Sequence, residues 1–149
     1  MKRQLADGYE LDDDRNRIDE EVVYRFLSEE SYWALGRSRE DVLKTIHGAS
    51  IVVGAYDPEG AMVGYARAAS DEVVFAYLCD VFVLDGHRGR GIGKEVVREV
   101  IDNGPHPDLR WLLGTGDAHE MYREFGFRKP SFRIMERPGP KFADDPPSE

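Results

Sequence analysis

Residues 73 to 84 read VVFAYLCDVFVL, a run of twelve with a single charge, Asp80. A run this apolar, rich in β-branched and aromatic residues, predicts a strand buried on both faces, central in its sheet and covered on both sides. The next segment, His87-Arg88-Gly89-Arg90-Gly91-Ile92-Gly93-Lys94, carries three cations and no acid. It leads into Ile92, Val96, Val97, Val100 and Ile101, which trace one face of a helix until Asn103-Gly104-Pro105 stops it. A strand, a glycine-rich turn and a helix N-terminus in that order present several backbone N–H groups in one direction, at the positive end of a helix dipole. The expected result is an anion site suited to phosphates.

The rest of the chain supplies a frame for that unit. Asp19 is placed to cap a helix whose face is Val22, Val23, Phe26 and Leu27. Ser38-Arg-Glu-Asp is a capping-box-like start for a second helix carrying Val42, Leu43 and Ile46. Ser50 to Tyr56 turns to β-branched and small residues, and Asp57-Pro58-Glu59-Gly60 fits a type I turn, which predicts two antiparallel strands. After the central unit, Leu109 to Leu113 reads as another buried strand. Asp117 to Phe125 reads as a short helix with Asp117 and Glu120 as its capping box and Gly126 closing it, and Phe132 to Met135 as a last strand. The order is helices, hairpin, long strand, helix, strand, helix, strand, a mixed α/β class. The first thirty residues hold ten acids and five bases, and are expected to form a solvated, partly mobile start. Pro138 to Glu149, with four prolines, is expected to be a disordered tail outside a single domain of residues 1 to 137.

Charge removes whole classes of partner. With 29 acidic against 20 basic side chains, the net charge is −9, a poor match for nucleic acid or an anionic membrane. No run reaches the roughly 18 to 20 apolar residues of a membrane span, and the start lacks the apolar stretch of a secretion signal, so a cytoplasmic protein is expected. A single cysteine, Cys79, excludes an internal disulfide framework and a multi-thiolate metal site, and no metal is expected. The glycine segment also excludes two nucleotide motifs. Arg88 stands where a Walker A loop needs its first glycine and Glu95 where it needs Ser or Thr. The spacing Gly89-x-Gly91-x-Gly93 is not the Gly-x-Gly-x-x-Gly of dinucleotide folds. A turn that merely joins strand to helix is the plain alternative, although one glycine would suffice for that.

The sequence resembles the GNAT superfamily of N-acetyltransferases. Arg88, Gly91 and Gly93 meet the family pattern Arg/Gln-x-x-Gly-x-Gly/Ala, with Val81 and Val83 on the preceding strand, and Tyr122-Arg-Glu-Phe-Gly126-Phe127 meets a second family signature. Asp85 departs from the proline common there. The resemblance implies a mostly antiparallel mixed sheet flanked by helices, and transfer of acetyl from acetyl-CoA to a primary amine by direct attack. It implies that Arg88, Gly89, Arg90, Gly91, Ile92, Gly93 and Lys94 bind the CoA pyrophosphate. Val81 and Val83 would pair with the pantetheine arm, and Tyr122 would protonate the departing thiolate as general acid. For the base or amine binder the first candidate is Asp80, because a lone carboxylate in an apolar strand must be functional or paired to an internal arginine or a backbone N–H. His119, one turn before Tyr122, could relay a proton or simply lie at the surface. Tyr32 and Trp33 could line the acceptor pocket and cage a cationic or aromatic amine, with ordinary packing the equal alternative. The acidic composition is compatible with cationic acceptors. A catalytically silent acyl-CoA-binding sensor is the competing function, and either a monomer or a homodimer fits.

Overall fold

The turn at Asp57 to Gly60 shows how local chemistry sets the sheet. In the computed structural model, which describes residues 1 to 147, the Asp57 carboxylate accepts the N–H groups of Glu59 and Ala61, each at 2.9 Å. Gly60 supplies the φ of +89° that the chain needs to reverse. The strands it joins are β3 (Ile51–Tyr56) and β4 (Met62–Ser70), antiparallel as expected. Every residue of β3 is buried.

Around this pair lies a six-stranded sheet. β1 (Lys2–Gln4), β2 (Glu10–Asp12), β3, β4, β5 (Phe75–Val83) and β6 (Arg110–Leu113) follow one another in space as in sequence. All neighbours are antiparallel except β5 and β6, which run parallel. The connection between those two is α3 (Ile92–Ile101), whose Ile92, Val96, Val97 and Val100 are buried against the sheet. On the core side of α1 (Glu20–Arg25) and α2 (Arg39–Gly48), Val23, Phe26, Val42 and Ile46 meet Val52, Tyr56, Tyr65 and Phe82 in one cluster. Both helix starts are capped as their sequences predict. The Asp19 carboxylate accepts from the N–H groups of Glu21 and Val22 at 3.2 Å, and Ser38 Oγ accepts from the Asp41 N–H at 3.1 Å.

Three expectations are corrected in this body. The acidic start is ordered: β1 and β2 extend the sheet, Leu11 is fully buried, and buried Asp12 is paired with Arg17 at 3.0 Å. The composition count concealed this pairing, because Arg17 returns to Asp12 from the turn that follows β2. β5 does lie inside the sheet, between β4 and β6, but it is not covered evenly on both faces, since its residues alternate between buried and more open, with Val73 and Val74 ahead of it on the surface. The strand buried along its whole length is β3. β6 is partly buried rather than buried, as an edge strand is.

Residues from Gly116 on form a second compact body. Its helix α4 (His119–Arg123) follows Ala118, which provides no side-chain cap, so the expected Asp117–Glu120 capping box is not formed; Glu120 pairs with Arg123 instead. Gly126, at φ +86°, does close the helix, and the Phe127 N–H donates to the Tyr122 carbonyl at 3.2 Å. Phe132 to Met135 is irregular chain rather than a strand, with Phe132 92% and Met135 94% exposed; the segment makes a turn in which the Ile134 N–H donates to the Ser131 carbonyl. Within the expected tail, Pro140–Phe142 form a single 3-10 turn, and Ser148 and Glu149 lie outside the described residues.

Candidate active site

β5 is partnered unevenly along its length. β6 pairs with Phe75 to Leu78 only, so on that side no strand of the described residues follows Cys79 to Val83, whose polar edge faces a gap in the sheet. The break coincides with a bulge. Asp80 has φ +54°, a left-handed conformation rare for a side-chain-bearing residue, and the register with β4 slips between Tyr65 and Arg67. The strand therefore arrives at Val81 and Val83 twisted and unpaired on one side.

The glycine segment begins directly beyond that edge. Asp85–His87 make a 3-10 turn, Gly89 and Gly91 take φ of +81° and +78°, and α3 starts at Ile92. The first ladder bond of α3 runs from the Glu95 N–H to the Gly91 carbonyl, so the amides of Ile92 and Gly93 precede the ladder at the helix's positive end. Arg88 reaches back: its Nε donates to the Val83 carbonyl at 2.9 Å, and its guanidinium lies 3.4 Å from the Asp85 carboxylate. The loop is braced from the β1–β2 connection as well, since Tyr9 Oη lies 2.8 Å from His87 Nδ1 and Arg90 sits over the Tyr9 ring. A cleft of about 340 Å³ adjoins the loop between the β1–β2 connection and α3, lined in part by Arg3, Tyr9, Arg90, Lys94 and Glu95. Its Arg3 is already paired to Glu95 and Glu99 at 2.8 and 2.7 Å.

The bulge carries the second feature. The Asp80 side chain is only 2% exposed, with Trp33 Nε1 donating to Oδ1 at 2.8 Å. Arg67 Nε and Arg37 Nη1 both donate to Oδ2, at 2.7 and 3.0 Å. Burial raises the Asp80 carboxyl, but the two guanidinium groups and these hydrogen bonds outweigh it and hold the group below the usual carboxylate range. The segment between α1 and α2 is built to deliver its share. A π turn at Phe26–Glu30 ends α1, Ser31 Oγ accepts the Ala34 N–H and donates to the Leu27 carbonyl, and Ser28 Oγ donates to the Arg37 carbonyl. Phe26 stacks on Phe82, with centroids 4.2 Å apart, and so locks this segment to β5.

The model of the acetyltransferase (GNAT) family matches residues 20–127. The chain belongs to this family. A GNAT-family protein of Xanthomonas campestris pv. campestris, described as an acetyltransferase, has a crystal structure that superposes with a TM-score of 0.80. The two are 36% identical, and the match covers 91% of this chain and 96% of that one. A Gibberella zeae protein named as an acetyltransferase is 28% identical over 148 residues, 80% of this chain and 84% of its own length. A Deinococcus radiodurans structure shares the fold at a TM-score of 0.71 and 19% identity, over 99% of this chain and all of that one.

Within the GNAT fold, the residues singled out from sequence fall into three groups. Val81, Val83 and Arg88 to Lys94 come together at the open strand end. Asp80 and Trp33 come together in the buried cluster, with Tyr32 edge-on to Trp33 at 5.1 Å. Tyr122 and His119 belong to the second body, where Tyr122 is buried edge-on to Phe127 at 5.9 Å and His119 is exposed. For Asp80 the geometry favours the internal-arginine partner over a base. Cys79 is partly buried, and that burial pushes its thiol up. Sequence reasoning missed Arg37, Arg67 and Tyr9. The one signal for the two arginines was the lone Asp80, which had to find a cation; nothing local pointed to Tyr9.

Proposed function

We propose that the protein is an acetyl-CoA-dependent N-acetyltransferase. The observation that carries this reading is the continuity of the open β5 edge at Val81 to Val83 with the Gly89 to Gly93 turn and the α3 amides that precede its ladder. An extended pantetheine arm fits the former as an added strand, and a pyrophosphate fits the latter. The thioester supplies an activated acetyl group. In this reading the Val81 N–H polarises its carbonyl, and Lys94 and Arg90 add cationic charge beside the phosphates. Tyr122 is assigned the proton for the departing thiolate through the second family signature. In this reading the amine attacks the thioester directly, without a covalent enzyme intermediate. Asp80, held ionised and fully engaged, positions Arg67 and Arg37 in this reading, and the ammonium of the acceptor loses its proton to solvent.

Thiol release from acetyl-CoA over a panel of amines tests the activity. Turnover with at least one amine is expected, and Tyr122→Phe should lower kcat far more than it weakens CoA binding. Saturable CoA binding with no thiol release from any amine would make the protein an acyl-CoA-binding sensor instead.

A further inference from the structure

Resting on the acetyltransferase reading, we propose that Arg37 and Arg67 form an oxyanion subsite, so that the acceptor is an amine that also carries a carboxylate or phosphate. The charge count around the β5 bulge is the starting point. Two guanidinium groups share one carboxylate, and both bonds go to the same oxygen, Asp80 Oδ2. Asp80 is the one carboxylate paired with either arginine among the described residues, which leaves a net charge of +1.

Each arginine spends one nitrogen on Asp80, Nε of Arg67 and Nη1 of Arg37. Both Nη groups of Arg67, and Nε and Nη2 of Arg37, have no acceptor among the described residues. They are not sealed in either, because the one enclosed side-chain polar atom without a partner there is the Tyr65 hydroxyl. Guanidinium donors that are fixed by a buried carboxylate, unspent and open to solvent are preorganised for a second oxyanion. The surroundings suit a small organic substrate. Arg67 lies opposite Cys79 in register, and the same alternation sets Tyr77 and Phe75 on that face, 42% and 40% exposed, while Tyr32 is 48% exposed on the segment that carries Arg37. The bulge also sets this subsite next to Val81, where the acyl group is proposed to lie.

This local charge reverses the expectation of a cationic acceptor drawn from composition, since a polyamine would meet the surplus positive charge at Arg37 and Arg67. The transfer itself keeps its balance. The amine nitrogen bonds to the acetyl carbon, the C–S bond breaks with its electron pair leaving on the CoA sulfur, the sulfur takes up a proton, and the nitrogen gives one to solvent. The oxyanion takes no part beyond holding the acceptor.

The test is steady-state thiol release by the full chain at saturating acetyl-CoA with three matched sets: amino acids, aminoalkyl phosphates, and their amides, alcohols or polyamine counterparts. One oxyanion set should exceed its neutral counterparts in kcat/KM by about ten- to a hundredfold, the worth of a charge-assisted pair. The two oxyanion arms decide between carboxylate and phosphate. Arg37→Gln should raise the acceptor KM by about tenfold or more while leaving the KM for acetyl-CoA unchanged, and Arg67→Lys should do so more mildly. Thermal melting checks that both variants fold. Equal or better turnover of neutral or cationic amines overturns the subsite and leaves the acetyltransferase standing. If no amine is turned over, the acetyltransferase reading fails. Calorimetric titration of the same amines into the CoA-loaded chain then decides the subsite: saturable binding lost in Arg37→Gln upholds it, and no binding overturns it.

Discussion

The glycine turn and the Asp80 cluster sit at opposite ends of one stretch of β5, and they are made of different materials. The turn is backbone: its amides come from consecutive residues, two held at positive φ, and a side-chain bond from Arg88 to the Val83 carbonyl ties it to the strand it leaves. The cluster is side chain: Trp33 and Arg37 from a loop, Arg67 from β4 and Asp80 from β5, gathered on one buried carboxylate. A backbone site tolerates change in most side chains and little change in conformation. A side-chain site tolerates the reverse. That contrast predicts which substitutions damage the fold and which damage only binding.

The largest effect is expected at Asp80. Asp80→Asn leaves two guanidinium groups without their counter-charge and should cost about 3 kcal/mol or more by chemical denaturation, since removing one member of a buried ion pair strands the other. The loss should carry a pH signature. Because the folded Asp80 carboxyl titrates below its unfolded value of about 4, its stabilisation is fully present above that pH and is lost as the pH falls through the lower folded value. The wild type should therefore lose stability more steeply than Asp80→Asn on acidification below about pH 4, and the difference between the two curves isolates this group from the other carboxylates. Parallel curves would mean that the cluster does not depend on the charge.

Gly91→Ala should act at the other end and more gently. Nothing lies within 4 Å of where the new Cβ would stand, so no clash is created, but an alanine held at φ +78° costs about 1 to 2 kcal/mol. The expected outcome is a modest drop in melting temperature with a clear loss of CoA affinity by calorimetry, and an acceptor KM that is unchanged. If acceptor KM rises as much as CoA Kd, the two regions are not separable and the contrast fails.

Legibility in the sequence follows the same division. The turn could be read because consecutive residues make it, and the helix caps at Asp19 and Ser38 could be read because each is a contact within three residues. The two antiparallel central strands announced themselves through Asp57 to Gly60. Arg37 and Arg67 lie 43 and 13 residues from Asp80, a separation that only the tertiary fold closes, so the lone Asp80 signalled a need without naming its partners. β1 and β2 were hidden for a related reason. Their charges read as a solvated run until Arg17 is seen to pair with Glu10 and Asp12 of β2, and Arg3 of β1 with Glu95 and Glu99 of α3. The expected strand at Phe132 to Met135 failed because apolar residues alone do not make one without a neighbouring strand to bond.

The smallest predicted effect tests how independent the backbone site is. Tyr9 was invisible in the sequence, yet its hydroxyl lies 2.8 Å from His87 Nδ1, its ring is edge-on to the imidazole, and Arg90 lies over it with its guanidinium carbon 5.5 Å from the ring centroid. Tyr9→Phe removes one hydrogen bond and keeps both ring contacts, so a stability loss of about 0.5 to 1.5 kcal/mol is expected. If the bond also fixes the entry to the turn, CoA affinity should fall a few-fold in calorimetry while the acceptor KM stays put. An unchanged CoA affinity would show that Gly89, Gly91 and the Arg88 tie hold the turn by themselves, with the β1–β2 connection contributing only to stability. Either result separates what the backbone does alone from what a distant segment lends it, because Phe at this position changes a single atom at the edge of the loop.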